Sequence, residues 1–177
     1  MSTPFDTSGF DGVWHMYQPD SKVFDPVTGE WVPEPIRSQV SEVRHDGDVM
    51  TFRGRIDHAE DLSLFLRYTC RYGADEWAPY EIVHIEGDPE HESLRPNHFR
   101  KHHARVGGVM GYVKQVYVDP RTRIRITRHP TGEAQYVLMN RLSEDFERSV
   151  AKVIAADGDA GIEKHSIKYH GPAPEWP

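Results

Sequence analysis

The chain has 177 residues and carries 21 lysine and arginine residues against 28 aspartate and glutamate residues, a formal net charge of −7. This length predicts one domain, spanning residues 1–177, with a hydrophobic core of its own. The acidic balance argues against a broad nucleic-acid-binding surface, and no apolar run approaches the roughly 20 residues of a membrane-spanning helix.

The N-terminal sequence and the cysteine content indicate the compartment in which the domain works. The N-terminus has neither the basic nor the apolar region of a secretory leader. Cys70 is the single cysteine, so no internal disulfide can form, and on a strand it is expected to be inert packing rather than a nucleophile. We therefore expect a cytoplasmic protein with extended tails at residues 1–11 and 171–177.

Alternation of apolar and polar residues predicts antiparallel strands through most of the chain. The clearest strand runs from Leu62 to Tyr72, where every second side chain is apolar or aromatic. Turn-forming residues separate the strands, as at Asp46-Gly47-Asp48, where the glycine can take a positive φ. The predicted strands are a first one that begins at Gly12, followed by Ile36–Arg44, Val49–Asp57, Leu62–Tyr72, Tyr80–Glu86, Val109–Val118, Arg123–His129, Ala134–Leu142 and Ile162–Tyr169.

Two segments are predicted as short helices. Ser143 to Ala156 places Phe146 and Val150 at helical spacing behind a serine cap and an acidic first turn. The alternative for this segment is a hairpin, in which Val150 to Ala156 pairs with the last strand. The second predicted helix, Asn97 to Arg105, is short and polar.

The number and spacing of the strands predict the fold class. Short antiparallel strands with turn signals about every ten residues are typical of a sandwich or a barrel. Aromatic residues on the inward strand faces favour a barrel that encloses a cavity. The expected fold is therefore mainly β, an antiparallel barrel of about eight to ten strands with one or two short helices.

The first strand carries Gly12-Val13-Trp14, and this Gly-x-Trp pattern resembles the lipocalin and calycin barrels. The resemblance implies that Trp14 plugs the closed end of the barrel and that Arg141, just before the predicted final helix, packs across its ring. A helix followed by one last strand is also similar to the lipocalin ending. The loop motif of the lipocalins is absent from this chain, so the resemblance concerns the fold.

Polar residues at alternate strand positions are candidates to line such a cavity. Tyrosine, histidine and a cation in an apolar barrel can bind a small aromatic or carboxylate ligand and can serve general acid–base catalysis. His84 is the expected base, because it lies mid-strand between Val83 and Ile85, and His15 with Tyr17 is the second choice. The expected substrate-binding residues are Arg53, Arg55, Tyr68, Tyr72, Tyr112 and Lys114.

A histidine-rich stretch lies at residues 91–103. His98 and His102 are four residues apart, so on a helix they would share a face and could bind a metal. Arg95, Arg100 and Lys101 crowd the same stretch with positive charge, which opposes a metal ion. We interpret the stretch as a cationic lid over the cavity and predict no metal ligands.

The preferred function is a cofactor-independent lyase or isomerase that acts on a small aromatic or phenolic molecule. In size and cavity chemistry the chain is similar to the phenolic acid decarboxylases. No phosphate-binding loop or dinucleotide fingerprint occurs in the sequence, so no cofactor is predicted. Two alternatives stay open: a non-catalytic small-molecule binding or carrier protein on the same barrel, and a lyase or cyclase on an α+β cone of the nuclear-transport-factor type. The expected partner is the small molecule, with neither nucleic acid nor membrane, and a homodimer is left open.

Overall fold

The computed structural model describes residues 5–95, 103–157 and 161–177. These residues form twelve β-strands and three turns of 3-10 helix, at Ser8–Phe10, Gln18–Asp20 and Glu92–Leu94. None of the helical turns is long and apolar enough to cross a membrane. The strands are β1 (Gly12–Met16), β2 (Lys22–Asp25), β3 (Glu30–Pro33), β4 (Ser38–Asp46), β5 (Val49–Ala59), β6 (Leu62–Arg71), β7 (Ala78–Glu86), β8 (Val109–Asp119), β9 (Thr122–Arg128), β10 (Ala134–Leu142), β11 (Arg148–Ala155) and β12 (Gly161–Tyr169).

Ten of the strands close into an antiparallel barrel. β1 pairs with β4, each strand from β4 to β12 pairs with the next, and β12 pairs back with β1. The closing register places Val13 opposite Tyr169 and Met16 opposite Ser166. The hairpin formed by β2 and β3 is added to β12 beyond this closing segment. The predicted mainly β, antiparallel barrel is confirmed.

The segment Ser143 to Ala156, predicted as a helix, is a turn followed by β11, so the hairpin alternative is correct. Leu142 pairs with Ser149, and β11 makes ladders with both β10 and β12. The turn is closed by the Ser143 hydroxyl, which accepts a 2.9 Å hydrogen bond from the backbone N–H of Arg148. A strand between two partners satisfies every backbone group, and this outweighs the helical spacing of the apolar residues. Of the other predicted helix, residues 97–102 lie outside the described residues, and 103–105 are not helical.

The hairpin of β2 and β3 was not predicted, because its segment contains several prolines. Pro33 is the last residue of β3, which is an edge strand, and an edge tolerates a residue without an N–H. The connecting turn is held by Asp25, whose carboxylate accepts hydrogen bonds from the Val27 N–H and the Thr28 hydroxyl at 2.9 and 3.1 Å. Proline therefore marks the edge of this sheet and does not exclude a strand.

One end of the barrel is sealed by aromatic residues around Trp14. Its side chain is only 5% exposed, and its indole N–H donates a 2.9 Å hydrogen bond to the Phe10 carbonyl. The stretch 1–11, predicted as an extended tail, contributes Phe5 and Phe10 to this packing. Arg141 does not cover Trp14: it alternates with the inward residues of β10 and is exposed. Lys168, opposite Trp14 on β12, places its ammonium 5.1 Å from the indole ring instead.

Cys70 belongs to the same core cluster, as predicted from its place on β6. Burial raises the pKa of its thiol to about 11. At neutral pH the sulfur is therefore protonated and behaves as a small apolar group.

Candidate ligand-binding site

The barrel encloses a cavity of about 590 Å³. This volume lies within the usual range for sites that bind small molecules, roughly 300–1,000 Å³. Even-numbered residues of β5 and β6 point inward, so these strands contribute apolar side chains. The apolar part of the wall includes Trp14, Val43, Phe52, Ile56, Leu64, Leu66, Met110, Leu138 and Val153.

Arg123 and Arg125 of β9 both point into this cavity, because they alternate with outward-facing Ile124 and Ile126. Arg123 is 9% exposed, and its guanidinium carbon lies 4.6 Å from the ring centroid of Phe10. Across the described part of the chain, neither arginine has a carboxylate within ion-pairing distance. Within residues 5–95, 103–157 and 161–177, these two cations thus face an apolar cavity without an ion-pairing partner.

Three tyrosines surround the guanidinium group of Arg125. Its Nη2 donates a 2.7 Å hydrogen bond to the Tyr136 hydroxyl, and the guanidinium carbon lies 5.3 to 5.8 Å from the ring centroids of Tyr68, Tyr80 and Tyr136. Nε of Arg125 is buried without a hydrogen-bond partner among the described residues. Burial works against the charged form of Arg125, but Tyr136, Tyr68 and Tyr80 outweigh it and raise the pKa of the guanidinium. The arginine is therefore permanently charged.

The phenols of Tyr68 and Tyr80 keep their protons. Burial raises the pKa of Tyr68 and of Tyr80, although the charge of Arg125 opposes this shift. The Tyr68 hydroxyl also accepts a 2.9 Å hydrogen bond from Nε2 of Gln115. At neutral pH these tyrosines are available as neutral hydrogen-bond donors to an anion.

A second polar group in the wall consists of Lys164, Glu34 and Gln39. Nζ of Lys164 lies 3.6 Å from Oε2 of Glu34 and donates a 2.7 Å hydrogen bond to Oε1 of Gln39. Burial lowers the pKa of Lys164, Glu34 opposes this effect, and Arg125 adds to it. Among its described residues, the cavity wall therefore carries three basic side chains, Arg123, Arg125 and Lys164, against the single carboxylate of Glu34.

Comparison with solved structures identifies the architecture. A fatty acid binding protein of Schistosoma mansoni in complex with arachidonic acid is similar over 93% of this chain and 98% of its own, with a TM-score of 0.56 and 12% identity. A point mutant of the fluorescent protein UnaG is similar over 93% and 99%, with a TM-score of 0.54 and 12% identity. The fold is a calycin-like barrel. No family model and no curated protein matches the sequence.

Of the nine residues predicted from the sequence to form the site, Tyr68 is the one that lines the cavity of the calycin-like barrel. Tyr72 points inward but is packed into the sealed end, where its hydroxyl lies 3.0 Å from Nε2 of His45. Tyr112 and Lys114 face outward, because the inward positions of β8 are Val113 and Gln115.

The two histidines expected to act as bases also lie outside the cavity. His15 follows inward-facing Trp14, so it is exposed, and it stacks on Tyr169 with the ring centroids 4.3 Å apart. Tyr17 lies beyond the end of β1, with the guanidinium of Arg148 5.9 Å from its ring. His84 lies on the outer face of β7, 5.4 Å from the ring of Phe65. The histidine in the cavity wall, among the described residues, is His58.

Arg53 and Arg55 are on the outer face of β5, because Met50, Phe52 and Ile56 take the inward positions. Arg53 lies 3.9 Å from a carboxylate oxygen of Glu42. Arg55 forms a 2.8 Å ion pair with Asp57. Arg55 and His84 do share one surface groove, whose other wall is formed by residues 174–177.

Outward-facing Tyr112 and Lys114 belong to a row of alternating cations and aromatic rings. The Lys114 ammonium lies 5.0 Å from the Trp77 ring, and the Arg128 guanidinium lies 4.5 Å from that ring and 5.4 Å from the ring of Tyr112. Through these cation–π contacts the aromatic and cationic side chains stabilise one another on the outer surface of the calycin-like barrel.

The inferred cationic lid lies partly outside the described residues, since His98 and His102 belong to residues 96–102. In the described part of this stretch, His91 accepts a hydrogen bond from the backbone N–H of Ser93 and so caps a helical turn. Among residues 5–95, 103–157 and 161–177 there is no group of three or more histidine, cysteine or acidic residues that could hold a metal ion.

Proposed function

We propose that this protein binds a small molecule with an apolar body and an anionic group, and that it holds this ligand inside the barrel without converting it. The observation that carries the proposal is the pair Arg123 and Arg125, two cations in an apolar cavity without a carboxylate partner among the described residues. A buried charge without a counter-ion is costly, so a ligand anion offsets an existing penalty.

Arg125 is the proposed anchor for the anion. Its Nη2 donates to the Tyr136 hydroxyl, whereas its Nε has no partner among the described groups and is a donor for a ligand carboxylate. A planar guanidinium can bind a carboxylate through two parallel hydrogen bonds. The protonated Tyr68 and Tyr80 beside it can complete the shell of donors.

The apolar body of the ligand would pack against the aliphatic and aromatic part of the wall. A volume of about 590 Å³ suits a fatty acid or an aromatic acid of moderate size. One structural neighbour is described as a complex with arachidonic acid, a long-chain carboxylate.

Binding accounts for the site better than the lyase or isomerase activity expected from the sequence. A cofactor-free lyase needs a proton-transfer group beside its substrate. His84 and His15 lie on the outside of the barrel, so they cannot reach a ligand in the cavity. The two cations of β9, Arg123 and Arg125, instead favour the binding of an anion.

The experiment compares carboxylic acids with alcohols of the same carbon skeleton as competitors of a fluorescent hydrophobic probe. We expect each acid to bind more tightly than its alcohol, by about tenfold or more, because a hydrogen bond to a charged group contributes about 1.5–3 kcal/mol. Arg125→Met should abolish this difference, whereas Arg53→Gln on the outer face should keep it. Equal affinities of acids and alcohols for the unmodified protein would refute the proposal. Recovery of a bound acid in altered form would restore the catalytic interpretation.

A further inference from the structure

Lys164 is a buried amine that the proposed anion anchor does not use. It lies on β12 between outward-facing Glu163 and His165, and its side chain reaches the cavity wall with 18% of its surface exposed. Gln39 accepts a 2.7 Å hydrogen bond from Nζ, and Glu34 lies 3.6 Å away. The amine is thus held in a fixed position at the edge of an enclosed apolar space.

We propose that Lys164 is a nucleophile that condenses with an aldehyde or ketone group of a molecule bound in the cavity. The neutral amine attacks the carbonyl carbon, and its nitrogen loses a proton as the carbonyl oxygen gains one, which gives a carbinolamine. Loss of the hydroxyl as water then leaves a carbon–nitrogen double bond, so one water is released for each imine formed. No oxidant, reductant or cofactor is needed for these steps.

Glu34 is placed to move the protons of this reaction. Its carboxylate is buried, and its Oε2 is the acidic atom nearest to Nζ of Lys164 among the described residues. It can accept a proton from the attacking nitrogen and return it to the departing hydroxyl, so that no net proton is consumed. Gln39 is a positioning residue, because its contact with Nζ fixes the direction from which the amine approaches a carbonyl.

Burial of Lys164 shifts its amine toward the reactive, neutral form. Burial lowers the pKa of its ammonium group, Glu34 opposes the shift, and the guanidinium of Arg125 adds to it. Desolvation and a neighbouring cation are the two usual means by which proteins activate a lysine. Lys152, on the neighbouring strand, offers a comparison, because its side chain is 57% exposed and pairs with Glu163 on the outer face.

The apolar wall near Lys164 would protect the product. Ile162 and Val153 line the cavity on the same two strands, and apolar surroundings keep water away from an imine that water would hydrolyse. Lys164 lines the same cavity as the proposed anion anchor, but its reaction with a carbonyl compound does not depend on an anionic ligand. An uncharged carbonyl compound therefore tests Lys164 separately from Arg125.

The test uses cinnamaldehyde as an uncharged probe, with sodium cyanoborohydride to trap the imine at pH 7. Intact mass follows the extent of addition, and peptide mapping distinguishes the lysines from the α-amino group. We expect Lys164 to be modified first, at a rate about tenfold or more above that of Lys152. Lys152→Arg should leave the fast addition unchanged, Lys164→Arg should remove it, and Glu34→Gln should slow it.

Two results would overturn the inference. One is a map of the unmodified protein in which Lys164 reacts no faster than Lys152, and this result does not depend on the folding of any variant. The other is a fast addition that persists in Lys164→Arg. If the acids and alcohols of the first experiment bind equally while Lys164 is still labelled selectively, the anion proposal fails and the carbonyl proposal stands.

Discussion

The guanidinium of Arg125 donates a 2.7 Å hydrogen bond to the hydroxyl of Tyr136. The two residues lie on neighbouring strands of the barrel, where Thr127 of β9 is the direct partner of Tyr136, so Arg125 reaches diagonally across the ladder. This contact orients the planar guanidinium but does not neutralise it. The protein therefore holds a positioned charge in its interior, and this lowers the stability of the fold.

Replacement of Arg125 by a residue of similar length and no charge should expose that cost. We expect Arg125→Met to leave the free energy of unfolding unchanged or to raise it by about 1 kcal/mol, because removal of a buried ion in favour of an apolar side chain is often stabilising. Urea unfolding, with circular dichroism as the signal, measures the change. Arg53→Gln is the matched control on the outer face. A loss above about 2 kcal/mol for Arg125→Met would indicate that the arginine is structural.

Trp14 should be among the most important residues for stability. Because its ring is buried in the sealed end, Trp14→Ala is expected to lower the free energy of unfolding by about 3–5 kcal/mol. Trp31→Ala provides the control, since Trp31 is 49% exposed on an edge strand, and should cost less than about 1 kcal/mol. A small loss for Trp14→Ala would mean that Phe10 and its neighbours seal the barrel without it.

The carboxylate of Asp57 should make the barrel sensitive to acid. Burial raises its pKa, but hydrogen bonds from Ser38, Ser63 and Arg55 outweigh burial and hold the pKa below its ordinary value of 3.8. A folded-state pKa below the unfolded one stabilises the fold above about pH 4, and this contribution is lost as the pH falls through the folded value.

Denaturant unfolding at a series of pH values tests this contribution. Asp57→Asn should be less stable than the unmodified protein at pH 7 and should lose less stability on acidification. Asp75→Asn, at an exposed bend, removes the same charge without these contacts and should leave the pH dependence unchanged. Parallel pH profiles for the unmodified protein and Asp57→Asn would contradict the assignment.

The thiol of Cys70 should be unreactive in the folded protein. Its pKa of about 11 and its burial leave almost no accessible thiolate at pH 8. A colorimetric disulfide reagent is expected to react within seconds in denaturant and only at the rate of unfolding in its absence. Fast reaction of the native protein would show that the core around Cys70 opens locally.

The positions of most strands along the chain could be predicted from the sequence, because alternation and turn residues are local signals. The identity of the side chains that line the interior of the barrel could not be predicted in this way. On β9 the pattern Arg123-Ile124-Arg125-Ile126 suggests isoleucine inside, yet the arginines point inward and Ile126 is more than one-third exposed. The rule that charges face water fails at β9, whose inner face lines the cavity of the barrel.

Uncertainty about which strand face points inward also explains other differences between the predicted and the observed structure. Tyr112 and Lys114 alternate as cavity residues would, but a strand with polar residues on both faces gives no indication of which face is inside. At β11, helical and alternating patterns coexist, and the choice depends on partners that are distant in sequence. The inward face and the choice between helix and strand are decided by which strands pair when the barrel closes, and no single segment shows this pairing.

That closure also determines when the structure can be completed. β1 emerges first from the ribosome, but the neighbour that satisfies its second edge is β12, and Val13 meets Tyr169. Until β12 has been synthesised, β1 therefore has one open edge, at which other chains can pair. Bringing together two segments so far apart is entropically costly and slow, so the final closure should limit the folding rate. A circular permutant that joins these two strands through a short loop would make that contact local and should fold faster.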